Sequence, residues 1–219
     1  MDYQPQNTRS RRTATAATKL TAKGRRTRAR IIDVAARLIW ERGVTATTLE
    51  DVKLAAEVSS SQLYHYFVDK ERLVNAVIEH QADKLVNTTE DADLGTTERL
   101  AAWRDLVIEH ASAIHGQGGC PLGSLGSQLA EADPAARTLV SAGFGRWTRA
   151  IQDAMRSLHG QGRLREGLDP DDLAVTVLAA LQGGLLLAQV HRDPRPLQTT
   201  LDTIFQMAGL TGPNGVPAS

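Results

Sequence analysis

Two helix-start signals, twelve residues apart, constrain this chain more than anything else in it. Thr47-Thr48-Leu49-Glu50 fits a capping box, with Thr47 as N-cap and Glu50 three residues on. Ser59-Ser60-Ser61-Gln62 fits a second, with Ser59 and Gln62 in the same roles. A short helix through Ala56 and the link Glu57-Val58 fill the space between them. Two helices joined this tightly have the helix-turn-helix layout. Each is too short to hold together in water, so both need a neighbour to bury against. The preceding segment, about Arg25 to Arg42, supplies one. Ile32, Ala35, Ala36 and Ile39 recur there at helical spacing, Ile31 and Leu38 widen the stripe, and Gly43 stands where a helix ends.

The same grammar continues along the chain. Asp69 is placed to cap a fourth helix to about Val86, followed by a polar, acidic loop from Thr88 to Thr96. A fifth helix is expected from Thr97 to His115, then a flexible break at Gly116–Cys120. Pro121 at the first helical position opens a sixth, to about Ala130. Asp133-Pro134 opens a seventh, to about His159. Asp169-Pro170-Asp171-Asp172 combines a cap, a proline and acids facing the helix dipole, and starts an eighth to about Val190. A ninth runs from Arg195 to Ala208, with Gly209 after it. Regular alternation of Val, Ile, Thr and Tyr is missing, so the fold class is all-α with nine helices. Residues 1–23 and 211–219 have too few large apolar side chains to offset the entropy of ordering and are expected to be disordered. The first of these is basic; a solubilising tail and an arm lying on phosphate are both open readings.

Charge separates the two parts. The net charge is zero, yet residues 1–80 hold 14 Lys/Arg against 9 Asp/Glu, and residues 81–219 hold 11 against 16. A basic first third points to an anionic partner, of which nucleic acid is the commonest. The lone Cys120 permits no intrachain disulfide, which fits a reducing cytoplasm. The basic N-terminus lacks the apolar run of a signal peptide. Leu173 to Val190 is too polar for a convincing membrane span, so no membrane partner is expected. No zinc-ligand spacing, P-loop, G-x-G-x-x-G or nucleophile elbow occurs. No metal, cofactor or enzymatic activity is expected.

Chemistry concentrates in Ser59 to Lys70. Leu63 and Phe67, four apart, should face inward, leaving Ser60, Ser61, Gln62, Tyr64 and His65 outward. Serine hydroxyls and a glutamine amide suit base edges in the major groove; Tyr64, His65 and Lys70 suit phosphate oxygens. Capping and core packing are the competing readings of the same residues, and core is preferred for Tyr66 and Phe67.

Arg28 through Lys70 resembles the DNA-binding domain of TetR-type regulators. The resemblance is carried by Ile31/Ile32, Ala35, Gly43, Thr47-Thr48, Asp51-Val52, Ala55-Ala56, Val58-Ser59, Leu63-Tyr64-His65-Tyr66-Phe67 and Lys70. Gly119-Cys120-Pro121-Leu122-Gly123 is like a segment in some branches of that family. Three departures stand out: Glu57 for the usual glycine, Lys53 for a small residue, Ile39 for an aromatic. The resemblance implies a three-helix head over 24–68 and a ligand-binding, dimerising body over 69–210. It implies base contacts from Ser60, Ser61 and Gln62, and phosphate contacts from Thr47, Thr48, Tyr64, His65 and Lys70; Lys53, a departure from the pattern, is a further phosphate candidate by its charge. It further implies a homodimer reading a pseudo-palindromic operator and released by a small-molecule inducer, with the fourth helix as the lever. An activator or architectural protein without a ligand is the alternative.

The body holds less specific signals. Trp103, Val107, His110, Cys120, Gln128, Phe144, Trp147, Ile151 and Gln182 are candidates to line an apolar pocket, and equally to fill a core. By the resemblance, Leu181, Leu185, Leu197, Leu201, Ile204 and Phe205 pair with their mates across the dimer; an intrachain core is the other reading. Cys120, at a helix start, is either a sensor thiol or a small buried side chain.

Overall fold

The structure is a computed structural model that describes residues 20–210. Among the described residues there are nine helices and no strands: α1 (Ala22–Arg42), α2 (Leu49–Ala55), α3 (Ser60–Tyr66), α4 (Lys70–Asp91), α5 (Thr97–Ala113), α6 (Pro121–Leu129), α7 (Pro134–Gly160), α8 (Pro170–His191) and α9 (Arg195–Ala208). The terminal segments expected to be disordered lie outside the described residues, except for 20–23. There Thr21 accepts from the Gly24 N–H and caps α1, which starts three residues earlier than its apolar stripe suggests.

Helix starts follow the caps read from the sequence. Ser59, Asp69, Asp133 and Asp169 each accept from a backbone N–H of the first turn. One start moves by a residue: Thr48, not Thr47, caps α2, and Asp51, not Glu50, completes the box. The fourth helix also runs on to Asp91, five residues past the expected end. Its extension buries Thr89, whose hydroxyl accepts from Trp147 Nε1 of α7 at 2.8 Å. That long-range contact outweighs the local polarity that suggested a loop.

The head is α1–α3, with Ile31, Ile32, Ala35, Val52, Leu63 and Phe67 as its core. α4 packs along α1 on one side and along α7 on the other. The body is built on α4 against α7, α7 against α8, and α8 against α9, with α6 laid on α7 and α4. Ile151, Met155, Leu158, Leu181, Leu197, Leu201 and Phe205 are fully buried there. The segment Gly116–Cys120 is a non-helical coil, in which Gly116, Gly118 and Gly119, and His115 before them, have positive φ. α8 is long and apolar enough by itself to cross a membrane. Here Leu173, Val177, Leu178, Leu181 and Ala188 are buried among its neighbours.

Candidate nucleic-acid interface

Three anchors fix α3. Leu63 and Phe67 are buried in the head, and the Arg28 guanidinium lies over the Phe67 ring at 5.3 Å. Ser59 Oγ accepts from the Gln62 N–H at 3.2 Å, while Gln62 Oε1 accepts from the Ser59 N–H at 3.0 Å. The turn before it carries Glu57 at φ 52°, the left-handed conformation that glycine adopts more cheaply. These constraints leave one face outward. Ser60, Ser61, Gln62, Tyr64 and His65 are all exposed, Tyr64 by 55%. That face offers the Ser60 and Tyr64 hydroxyls, an imidazole, and the Gln62 amide, whose NH₂ stays free while its oxygen serves the cap. Tyr66 is half-buried and Phe67 buried, in keeping with their expected core roles.

The threonines before α2 part company. Thr47 is 3% exposed and its hydroxyl donates to the Gly43 carbonyl at 2.9 Å, so in this conformation it braces the α1–α2 turn and is withdrawn from solvent. Thr48 is exposed at the tip; its hydroxyl donates to Asp51 Oδ2 at 2.6 Å. Those Thr48 bonds hold the Asp51 carboxyl below its ordinary range. Lys53 is ion-paired with Glu50 one turn earlier. Lys70 Nζ donates to the Thr45 carbonyl at 3.3 Å, at the start of α4. The sequence reading did not single out Lys23, Arg26 and Arg30, exposed on the first turns of α1. The charge asymmetry was the signal that contained them.

The pocket candidates scatter. Trp103, Trp147 and Ile151 are packed core; Phe144 stacks on Trp147 with ring centroids 6.4 Å apart. Val107 is half-buried and His110 is exposed on α5. Gln128 reaches toward the head: its Oε1 accepts from the Val44 N–H at 2.8 Å. Cys120 caps α6, accepting from the Gly123 N–H at 3.4 Å. Burial pushes its thiol up from the ordinary range, more than that contact and those from Gln182 and Leu122 lower it. A thiol held protonated is a poor nucleophile, which works against the sensor reading. Apart from that contact with the thiol, the buried Gln182 Nε2 has no hydrogen-bond partner among the described residues. Two open clefts lie elsewhere: about 500 Å³ between α1 and α4 beside Arg28 and His80, and about 770 Å³ at the α8–α9 corner beside His191 and Arg195. Neither is lined by the expected pocket residues.

The dimer candidates divide as well. Leu181, Leu197, Leu201 and Phe205 face inward into the α8–α9 seam, while Leu185 and Ile204 are half-buried. The apolar side chains left outward are Val175, Leu186, Leu187 and Val190 of α8 and Met207 of α9.

A rigidly held short helix with a polar outer face, carried on a basic three-helix head, defines a helix-turn-helix transcriptional regulator. Comparison with known proteins gives the family. Residues 31–77 match the model of bacterial regulatory proteins of the tetR family, and residues 96–204 match that of the tetracyclin repressor-like C-terminal domain. The chain belongs to the TetR family. It is 27% identical over 183 residues to the HTH-type transcriptional repressor DhaR of Mycobacterium sp. (strain GP1), covering 82% of this chain and 90% of that one. Over 91 residues it is 44% identical to the HTH-type transcriptional repressor KstR2 of Rhodococcus jostii (strain RHA1), covering 42% of this chain and 44% of that protein. In fold it is similar to the reduced form of E. coli NemR, with a TM-score of 0.77 at 21% identity over 84% of this chain and 98% of that one.

Proposed function

We propose that this regulator is a repressor that grips a pseudo-palindromic operator as a homodimer and lets go when a small molecule enters its body. The outward polar face of α3 is the observation that carries the reading. Ser60, Ser61 and Gln62 address base edges, while Thr48, Tyr64, His65 and Lys70, with Lys53 once free of Glu50, address phosphates. Lys23, Arg26 and Arg30 add cationic charge to the same head. Relatives described as repressors support the sign of regulation.

The proposed dimer joins α8 and α9 of two subunits across Val175, Leu186, Leu187, Val190 and Met207. Five large apolar side chains left outward on two packed helices are unusual on a surface that meets only water. The proposed inducer carries an acceptor oxygen, because the buried Gln182 Nε2, near Cys120, has an N–H left to donate. Release follows by population shift: the ligand favours a dimer whose heads are wrongly spaced for the duplex.

Selection of duplex fragments by the purified protein tests the core of this. The expected result is one enriched, two-fold symmetric sequence with half-sites about one helical turn apart. Its affinity should fall steeply with salt, as several phosphate contacts require. No enrichment, or binding indifferent to salt, would refute the reading.

A further inference from the structure

The coil between α5 and α6 is wedged between the head and α8. A Cβ on Gly116 would stand 2.3 Å from the Ala188 carbonyl oxygen, and one on Gly119 would stand 2.6 Å from Gln189 Oε1. A Cβ on Gly118 would fall 1.9 Å from the Trp40 ring, in the last turns of α1. The coil's bare backbone therefore touches α8 on one side and the head on the other. Near the far end of α6, Gln128 makes a second contact with the head. Its Nε2 donates to Ser124 carbonyl and hydroxyl oxygens at 3.2 and 3.1 Å, which aims Oε1 at the Val44 N–H, 2.8 Å away. Val44 belongs to the turn that leads into α2, and it is buried.

Head and body are thus fastened at two points besides α4, both on one continuous segment. The start of that segment rests on Ala188 and Gln189, while Gly183, Leu186, Leu187 and Val190 of the same helix are exposed. Gly116 meets the Ala188 carbonyl backbone to backbone, with no flexible side chain to absorb a displacement of α8, while Gly119 and Gly118 meet the side chains of Gln189 and Trp40.

We propose that residues 115–129 form a strut through which the position of α8 sets the angle of the head, with Trp40 and Gln128 as positioning residues at its head end. This rests on the reading of α3 as the DNA-facing helix.

Hydrogen exchange on the full chain, read by mass spectrometry, tests it. In Gln128→Ala, Val44 and the peptides spanning α2 and α3 should exchange about three- to tenfold faster, as loss of one stabilising hydrogen bond implies. Peptides of α7 should not change. Gln128→Glu keeps an acceptor opposite Val44 but loses the amide donors held by Ser124, so it should recover only part of the parent protection. Gln189→Ala is the decisive variant, because Gln189 is on the body side of the strut and makes no hydrogen bond to the head. It should also speed exchange in α2 and α3. If Gln189→Ala loosens only residues 115–120, or Gln128→Ala affects nothing beyond Val44, the strut does not exist. On a duplex selected from a random pool by the parent protein, Gln128→Ala should bind about three- to tenfold more weakly. A parent that selects no duplex sinks the DNA reading of α3 and leaves the exchange test to decide the strut.

Discussion

Thr89 shows how much one hydroxyl can hold. It donates to the Leu85 carbonyl at 2.9 Å and accepts from Trp147 Nε1, joining α4 to α7 inside the body. Thr89→Val keeps the shape and orphans the buried indole N–H, at a cost of about 1–3 kcal/mol. Urea unfolding at fixed protein concentration should show a lower midpoint with an unchanged slope; an unmoved midpoint would mean the bond contributes nothing net. Cys120 gives a pH-dependent counterpart. Its thiol is pushed up by burial, so the folded chain keeps a proton that the unfolded chain releases. Stability from this group is complete below the unfolded thiol's pKa, about 8.5, and is lost as pH rises beyond it. The alkaline loss should be smaller in Cys120→Ala, measured as the difference in urea midpoint between neutral pH and pH above that value. Neither position was fully readable beforehand. Thr89 lies in a polar run that looks like a loop until Trp147, fifty-eight residues away, is brought against it. Thr47 and Thr48 are adjacent and chemically alike, and only the path of the α1–α2 turn decides which one caps.

Helices α8 and α9 pose the same problem at the level of elements. Gly183 and Gly184 stand side by side in α8 but face different neighbours. A Cβ on Gly184 would lie 2.8 Å from the Leu197 Cα, whereas one on Gly183 meets nothing within 4 Å. Gly184→Ala must push α9 away and should destabilise the subunit by about 1–3 kcal/mol. Gly183→Ala should leave the α8–α9 seam undisturbed, since its added methyl points away from Leu197. Thermal unfolding followed by circular dichroism separates the two; equal losses would show that α9 is not seated as described. Starts of these helices were legible because caps and prolines act within a turn of themselves. Which face of α8 would be covered was not, because the helix is apolar nearly all round and periodicity cannot choose between two apolar faces. Leu181, Leu197, Leu201 and Phe205 satisfied the pattern expected of a dimer seam while filling the interior of one chain. Helix α3 was legible for the opposite reason: it has one polar and one apolar face, so its orientation follows once Leu63 and Phe67 have somewhere to go.

At the scale of the whole molecule, the proposed function requires two heads at a separation the duplex accepts, and the outer face of α8 is what would set it. Leu186 is 58% exposed and Val190 67%, one turn apart and beyond the reach of the subunit's own core. Glutamate at both positions adds charge to a surface that already meets water in the single chain, so Leu186→Glu/Val190→Glu should fold with unchanged helix content. In a two-subunit seam the same charges would be desolvated without partners, each at a cost of several kcal/mol. The double variant should therefore elute as a monomer where the parent elutes as a dimer. Its head would keep every side chain that faces DNA, yet lose the second, tethered contact. Affinity for the selected duplex should fall by roughly 10²–10⁴, the range that bivalent attachment supplies. The salt slope should also drop toward half, since one head contacts half the phosphates. The two readouts guard each other. A monomer that binds as tightly as the parent would mean that one head suffices and the operator need not be symmetric. A variant that stays dimeric would place the subunit contact on another face of the body.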